Sequence, residues 1–269
     1  MSWVLHEGDS AKVLKTLDTD SIDLTVTSPP YDNLRTYKGY SFDFETIAKE
    51  LYRVTKQGGV VVWVVGDKTD KGSESGTSFK QALFFKESGF NLHDTMIYEK
   101  DSISFPETTR YYQIFEYMFI FSKGKPKSIN LLTDRKNKWA DGKKRICGRE
   151  RQSDGTLLGR RKGNILKPFG IRFNIWRYVT GKNKSTKDKI ACEHPAIFPE
   201  QLAHDHIVSW SNKGDTVLDP FAGSGTTLKM AEQLGRNSIG IEIGKEYCPI
   251  IRERMANSQT TFFEMEVVE

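Results

Sequence analysis

Residues 215 to 255 read DTVLDPFAGSGTTLKMAEQLGRNSIGIEIGKEYCPIIRERM. The apolar strand around Thr216 to Leu218 runs into a glycine turn, a helix opens at about Thr226, a second strand follows in NSIGIEI, and a second helix closes the unit. Gly223 and Gly225 remove side chains where backbone must approach a ligand, and the helix start offers free N–H groups. Glu242 ends the second strand about 20 residues on, where a carboxylate can accept both hydroxyls of a ribose. The pair argues for an adenosine-containing ligand at the strand ends. A dinucleotide turn wants a third glycine, but Leu228 stands in its place, and Asp219 at the entrance suits a pyrophosphate poorly. A ligand with a cationic or zwitterionic group beside the ribose fits better.

The same rhythm extends back through the chain. Residues 22–27, Ile-Asp-Leu-Thr-Val-Thr, read as a strand cut off by prolines. FETIAKELYRVTKQGG places Ile47, Leu51 and Val54 on one helical face before a Gly-Gly stop. VVVWVVGD is apolar without alternation, as in a parallel strand covered on both faces. A helix over about 78–88 and strands in LHDTMIYEK and IFEYMFIFSK continue the pattern. FPEQLAHDHIVSWS returns to helical spacing at Leu202, His206 and Ile207. Alternating strands and helices predict a mostly parallel α/β sheet. From Gly124 to about Lys189 the rhythm breaks into Gly, Lys, Arg and Asn, the mark of an inserted module.

Charge sharpens that boundary. The whole chain of 269 residues carries a net charge of +5, yet residues 123–189 hold 21 Lys/Arg against 5 Asp/Glu and the remainder 19 against 30. A basic block within an acidic protein fits a polyanion, whose bound counterions it would release, or a solvated surface loop. Trp139, Phe169, Phe173, Trp176 and Tyr178 are interleaved with the charges and can build a small core or stack on bases. No apolar run reaches the ~20 residues of a membrane helix and the start lacks a signal peptide's pattern, so a cytoplasmic location is expected. Cys147, Cys192 and Cys248 are widely separated, as reduced thiols rather than a zinc site.

TSPPY at 27–31 is stiff: proline fixes its own φ, lacks an N–H and holds the preceding residue extended. Taken alone it is a strand-ending turn that displays the Ser28 hydroxyl and the Tyr31 ring.

Together, TSPPY, DPFAGSGTT, Glu242, HPAIFPEQLAHDHI and the early EGDS resemble the amino-group DNA methyltransferases, across almost the whole chain. TSPPY resembles their catalytic motif IV, with Ser where many adenine enzymes have Asp. DPFAGSGTT resembles motif I, Glu242 the motif II acid, and the HPAIFP segment motif X. Their order, catalytic motif first and motif I last, is that of the permuted β class. The resemblance implies a Rossmann-like, mostly parallel seven-stranded sheet with helices on both faces. It divides the chain into a catalytic half (1–122), a basic target-recognition module (123–189) and a cofactor-binding half (190–269). It implies S-adenosyl-L-methionine as cofactor, no metal, double-stranded DNA as partner, and allows a homodimer and a cognate restriction endonuclease.

Carried over by position, Ser28, Pro29, Pro30 and Tyr31 are the expected catalytic residues. Asp9, Pro195, Phe198, Pro199, Asp219, Phe221, Ala222, Gly223, Ser224, Gly225, Thr226 and Glu242 would form the cofactor pocket. Arg110, Lys143, Lys144, Arg145, Arg160, Arg161, Arg172 and Asn174 would read bases or hold phosphates. An exocyclic amine inside a duplex is stacked and paired, so the base must be flipped, at a cost of a few kcal/mol. Tyr31 would stack on it, while the Ser28 hydroxyl and Pro29 carbonyl would hold its N–H groups and direct the lone pair. Ser28 favours cytosine N4 over adenine N6. A DNA-binding protein without transferase activity is the different-class alternative. An oxidoreductase is disfavoured by the missing glycine, and a glutamine or RNA methyltransferase would carry its Pro-Pro-Tyr after the cofactor-binding strand.

Overall fold

The computed structural model describes residues 2–30, 42–103, 108–145, 151–159, 164–181, 184–195 and 197–266. Eight strands form the central sheet: β1 (Trp3–Glu7), β2 (Ile22–Thr27), β3 (Thr55–Val65), β4 (Asn91–Lys100), β5 (Phe115–Ser122), β6 (Ile175–Tyr178), β7 (Thr216–Asp219) and β8 (Asn237–Glu242). Their spatial order is β1-β8-β7-β2-β3-β5-β4-β6. β5 runs antiparallel to both its neighbours and every other pairing is parallel. This is the expected Rossmann-like sheet with one further strand at its edge.

The apolar run of β3 explains the layering. Successive side chains of a strand point to opposite faces. Val61, Trp63 and Val65 join Ile47, Leu51 and Phe85 from the helices α2 (Phe44–Val54) and α3 (Thr77–Glu87) in one core, together with Leu14 just after the short helix α1 (Ser10–Val13). Val60, Val62 and Val64 are buried on the other face, where α4 (Glu200–Trp210) packs on β2 and β3 and in turn on α5 (Thr226–Gln233). The last helix, α6 (Cys248–Glu266), contacts α5. Among the described residues no helix is long and apolar enough to cross a membrane, and no His/Cys/Asp/Glu group could hold a metal ion.

Gly58 and Gly59, expected to stop a helix, do something else. α2 ends at Val54, Thr55 is already paired with Ile22, and the next register pair is Leu24 with Val60. The residues between bulge out. Gly58 has φ +80°, and a Cβ on Gly59 would lie 2.7 Å from Thr55 Cγ2 and 3.0 Å from the Asp23 carbonyl, so the pair shapes a strand rather than a helix end. The bulge brings Lys56 to Asp23 (2.7 Å), which also accepts Lys127 Nζ (2.5 Å) and the Thr216 N–H (3.0 Å). Burial raises the pKa of Asp23, but the two lysines outweigh it and hold the carboxyl below its ordinary value.

The expected 123–189 insertion is narrower in space. The compact unit is Leu131–Phe173, and residues to either side belong to the main body. Lys123 bonds Asp20 and the Tyr52 and Thr55 carbonyls, and Lys127 serves Asp23. Ile175–Tyr178 pairs in parallel with β4, burying Trp176 and Tyr178, whose hydroxyl donates to Asp205 at 2.8 Å. Those two aromatics therefore belong to the main sheet. Within 131–173, two short ribbons join Arg135–Lys136 to Phe169–Gly170 and Lys144–Arg145 to Asn164–Ile165. No described side chain of this unit is buried; Trp139, Phe169 and Phe173 are exposed, with the Arg135 guanidinium 4.4 Å from the centre of the Phe173 ring.

Candidate functional site

The sheet sets the C-terminal ends of β2 and β7 side by side, so residues nearly two hundred positions apart meet. Backbone pairing between them runs Val217 with Leu24 and Leu218 with Thr25, then stops. Pro220 has no N–H with which to continue it. Side chains take over: the Thr27 hydroxyl donates to Asp219 Oδ1 (2.6 Å) and the Thr227 hydroxyl to the Val26 carbonyl (3.1 Å). Immediately beyond, Ser28 and Pro30 are half-buried and Pro29 is buried. Tyr31 lies outside the described residues.

Across from this elbow, Glu242 is held by backbone amides. Gly223 N–H donates to its Oε2 and Gly244 N–H to its Oε1, both at 2.7 Å. Each carboxylate oxygen keeps acceptor capacity for a hydroxyl. Burial pushes its pKa up to about 7, against the pull of the two amides. Asp219 is 1% exposed and burial pushes it up to about 6, opposed by Thr27, the Phe221 N–H and the nearby Thr227 hydroxyl. Its Oδ2 is buried with no hydrogen-bond partner among the described residues. A buried acidic oxygen close in sequence to a glycine-rich turn fits a cationic group, and the amide-held glutamate fits a diol. The residues present thus suit an adenosine ligand carrying a positive charge.

The glycines have physical necessity. Gly223 (φ +53°) faces the His194 ring, which a Cβ would approach to 3.1 Å, and Gly225 (φ +79°) faces Ile251. Leu228, standing where a third glycine was sought, packs against Gly240 of β8, where a Cβ would come within 2.7 Å of the leucine. Close helix-to-sheet approach is preserved by moving the missing side chain to the strand. Gly240→Ala is therefore expected to lower stability by about 1–3 kcal/mol through overpacking, measurable as a lower urea midpoint at unchanged m-value.

Sequence reasoning missed Arg254, whose side chain is fully buried. It donates to Asp188 Oδ2 (3.1 Å), Glu200 Oε1 (2.7 Å), the Ser224 carbonyl (2.6 Å) and hydroxyl (3.1 Å), and the Thr226 hydroxyl (3.2 Å). Lys229 reaches the same two carboxylates, and Thr186 donates to Glu200. An arginine in a charged C-terminal helix carries no local signal of such a role. His194 was also passed over, although it precedes Pro195; its ring meets Tyr247 edge-on at 4.4 Å.

The other expected residues divide. The Asp9 carboxylate caps α1 by accepting the Ala11 N–H at 3.0 Å, while its neighbour Ser10 donates to the Pro220 carbonyl. Pro195 is exposed, Phe198 half-buried, and Pro199 buried as the residue before α4. Phe221 packs on Phe42 and Trp63, and Ala222 is buried with its N–H on the Ile241 carbonyl at 2.9 Å. Ser224 and Thr226 turn their hydroxyls to Arg254. Of the expected DNA contacts, Arg172 is held by Asp134 and Asn174 Nδ2 donates to the Thr95 carbonyl at 3.2 Å. Arg110 donates to the Gly72 carbonyl. Lys143 is exposed, and Lys144 and Arg145 form a ribbon strand; Arg160 and Arg161 lie outside the described residues.

A protein-family model for DNA methylase, of the N6/N4 type, matches residues 22–253. The orphan methyltransferase M.BamHII of Bacillus amyloliquefaciens is 72% identical over 88% of this chain and 89% of its own. The type II methyltransferase M.HpaI of Haemophilus parainfluenzae is 30% identical over 92% of this chain and 72% of its own. The Thermus thermophilus protein TTHA0409, solved with S-adenosyl-L-methionine, superposes with a TM-score of 0.62 at 25% identity, covering 96% of each chain.

Proposed function

Because this chain belongs to the N6/N4 DNA methylase family and so is a DNA methyltransferase that uses S-adenosyl-L-methionine, we propose that it methylates the N4 amine of a flipped cytosine at the Ser28-Pro29 elbow. The observation that carries this reading is the seating of that elbow: Thr27, one residue before Ser28, is bonded at 2.6 Å to the acid that opens the glycine turn.

In this reading Glu242 takes the cofactor's ribose hydroxyls, Asp219 its cationic group, and the Gly223–Gly225 turn its close backbone approach, with Pro195, Phe198 and Pro199 bordering the pocket. When bound, the cofactor supplies an electrophilic methyl group. The amine of cytosine is a weak nucleophile because its lone pair is delocalised into the ring. Ser28 Oγ and the Pro29 carbonyl accept its two N–H bonds, which favours a pyramidal nitrogen with its lone pair free to react. Proline's fixed φ holds that carbonyl still. Tyr31 stacks on the flipped base, contributing about 1–3 kcal/mol. The chain's task is alignment more than proton transfer, and alignment can supply much of the rate.

Ser28 itself supports cytosine, since the resemblance associates Asp at this position with many adenine enzymes. The exposed basic residues of 131–173, Lys143 foremost among those described, would contact DNA. Ser28→Ala is expected to reduce kcat by about 100- to 1,000-fold with cofactor affinity retained, the scale on which oriented hydrogen-bond partners act. Modification-sensitive sequencing of DNA from cells expressing the protein should show N4-methylcytosine in one sequence context. N6-methyladenine there would replace the cytosine assignment, and wild-type turnover by Ser28→Ala would remove the elbow from the chemistry.

A further inference from the structure

We infer that Thr27 is a positioning residue for methyl transfer: with Thr227 it clasps the catalytic strand end to the cofactor strand end after the backbone ladder between them has stopped. The inference rests on the reading that Ser28 and Pro29 hold the target amine.

Adjacent parallel strands lie about 4.8 Å apart while hydrogen-bonded, and their twist parts them once the bonds cease. Here the last register pair is Leu218 with Thr25. Continuing the register would set Asp219 beside Val26 and Pro220 beside Thr27, and Pro220 cannot donate. Pro29 and Pro30 deprive the other strand of two further donors. Two hydroxyl bonds form here, one between the strand ends and one from the helix that follows the glycine turn. Thr27 of the catalytic strand reaches the acid of β7 (2.6 Å), and Thr227 of α5 reaches back to the Val26 carbonyl (3.1 Å). Thr27 and Thr227 are both fully buried. A β-branched side chain in an extended segment has few χ1 choices, so the hydroxyl of Thr27 is held in direction as well as place. Ser10 braces the same corner by donating to the Pro220 carbonyl.

Each strand end is still paired with its other neighbour, Thr27 with Trp63 and Asp219 with Gly240, so the direct tie between the two ends, and with it the fine spacing of methyl donor and amine, falls to side chains. Displacements of the order of 1 Å at a reacting pair cost up to about 100-fold in rate. Thr27→Val keeps the shape and β-branching and removes only the donor. It is expected to lower kcat by about 10- to 100-fold, with the affinity for S-adenosyl-L-methionine, measured by calorimetry at about pH 8.5 so that Asp219 stays ionised without the Thr27 donor, changing far less. Thr27→Ser restores the hydroxyl and should recover most of kcat. Wild-type kcat in Thr27→Val would overturn the inference, as would equal losses in the Val and Ser variants, or a loss confined to cofactor affinity. If Thr27→Val does not fold by circular dichroism, Thr27→Ala, which likewise lacks the donor to Asp219, carries the same measurement, with the same outcomes deciding. Ser28→Ala is assayed in parallel. Activity retained there removes the elbow reading itself, whereas activity lost there and retained in Thr27→Val removes only the clasp.

Discussion

Arg254→Met is expected to lower the unfolding free energy by about 3–5 kcal/mol, the usual consequence of removing one partner from a buried ionic network. The guanidinium, fully buried, is shared between Asp188 and Glu200 on one side and the Ser224 carbonyl and two hydroxyls on the other. Methionine fills comparable volume and supplies none of these donors. Asp188 shows what is at stake: burial raises its pKa, yet Lys229 and Arg254 together hold it below the ordinary carboxylate value. With Lys229 as the remaining cation, two acids would share one partner, and the glycine turn would lose the donor on Ser224. Urea denaturation of the cofactor-free protein measures the first effect and calorimetry with S-adenosyl-L-methionine the second. Arg254→Lys should fall between, since an ammonium keeps the charge and loses the planar fork. A loss below about 1 kcal/mol in the methionine variant, the scale of an exposed pair, would show that the network does not hold the fold in this way.

Acidity should move stability and cofactor affinity in opposite directions. Asp219 is raised from 3.8 to about 6 and Glu242 from 4.5 to about 7, burial being the largest cause for each. A carboxyl with a raised folded pKa binds more protons folded than unfolded between the two values, so stability falls as pH rises through that window. The contribution is complete below about pH 4 and lost above about pH 7. At about 1.4 kcal/mol per unit, and with Asp219 itself helping to raise Glu242, the two groups together make a difference of several kcal/mol. Asp23 and Asp188, both lowered, act in the opposite sense and remove stability below about pH 4. The cofactor-free protein should therefore be most stable near pH 4, and urea midpoints from pH 3 to 8 would establish the curve. In the proposed site the cofactor's cationic group meets the ionised Asp219, so affinity should weaken as pH drops below about 6, by up to tenfold per unit. Asp219→Asn should flatten much of that dependence. Parallel trends of stability and affinity with pH would refute the account.

Much of the fold was legible without the structure because it rests on local preferences. The unalternating β3, the amphipathic face of α2 and the glycine turn before α5 announce themselves within windows of about a dozen residues. The stiffness of TSPPY and the acid at the end of β8 were equally plain. Other features depend on distant partners. Gly58-Gly59 looks like a helix stop until Asp23, more than thirty positions earlier, is found pairing with Lys56 across a strand bulge. Trp176 and Tyr178 look like part of a basic insertion until β4 offers them an edge.

By itself, then, the sequence determined the parallel α/β sheet, the glycine turn, the acid at the end of the next strand and the proline elbow, since backbone propensity and residue chemistry act over short stretches. Only the tertiary structure decided that Thr27 would bond Asp219, that Gly240 would make room for Leu228, and that Arg254 would hold the glycine turn. Each of these is a pairing of buried groups, and burial is decided by which distant segment arrives to exclude water.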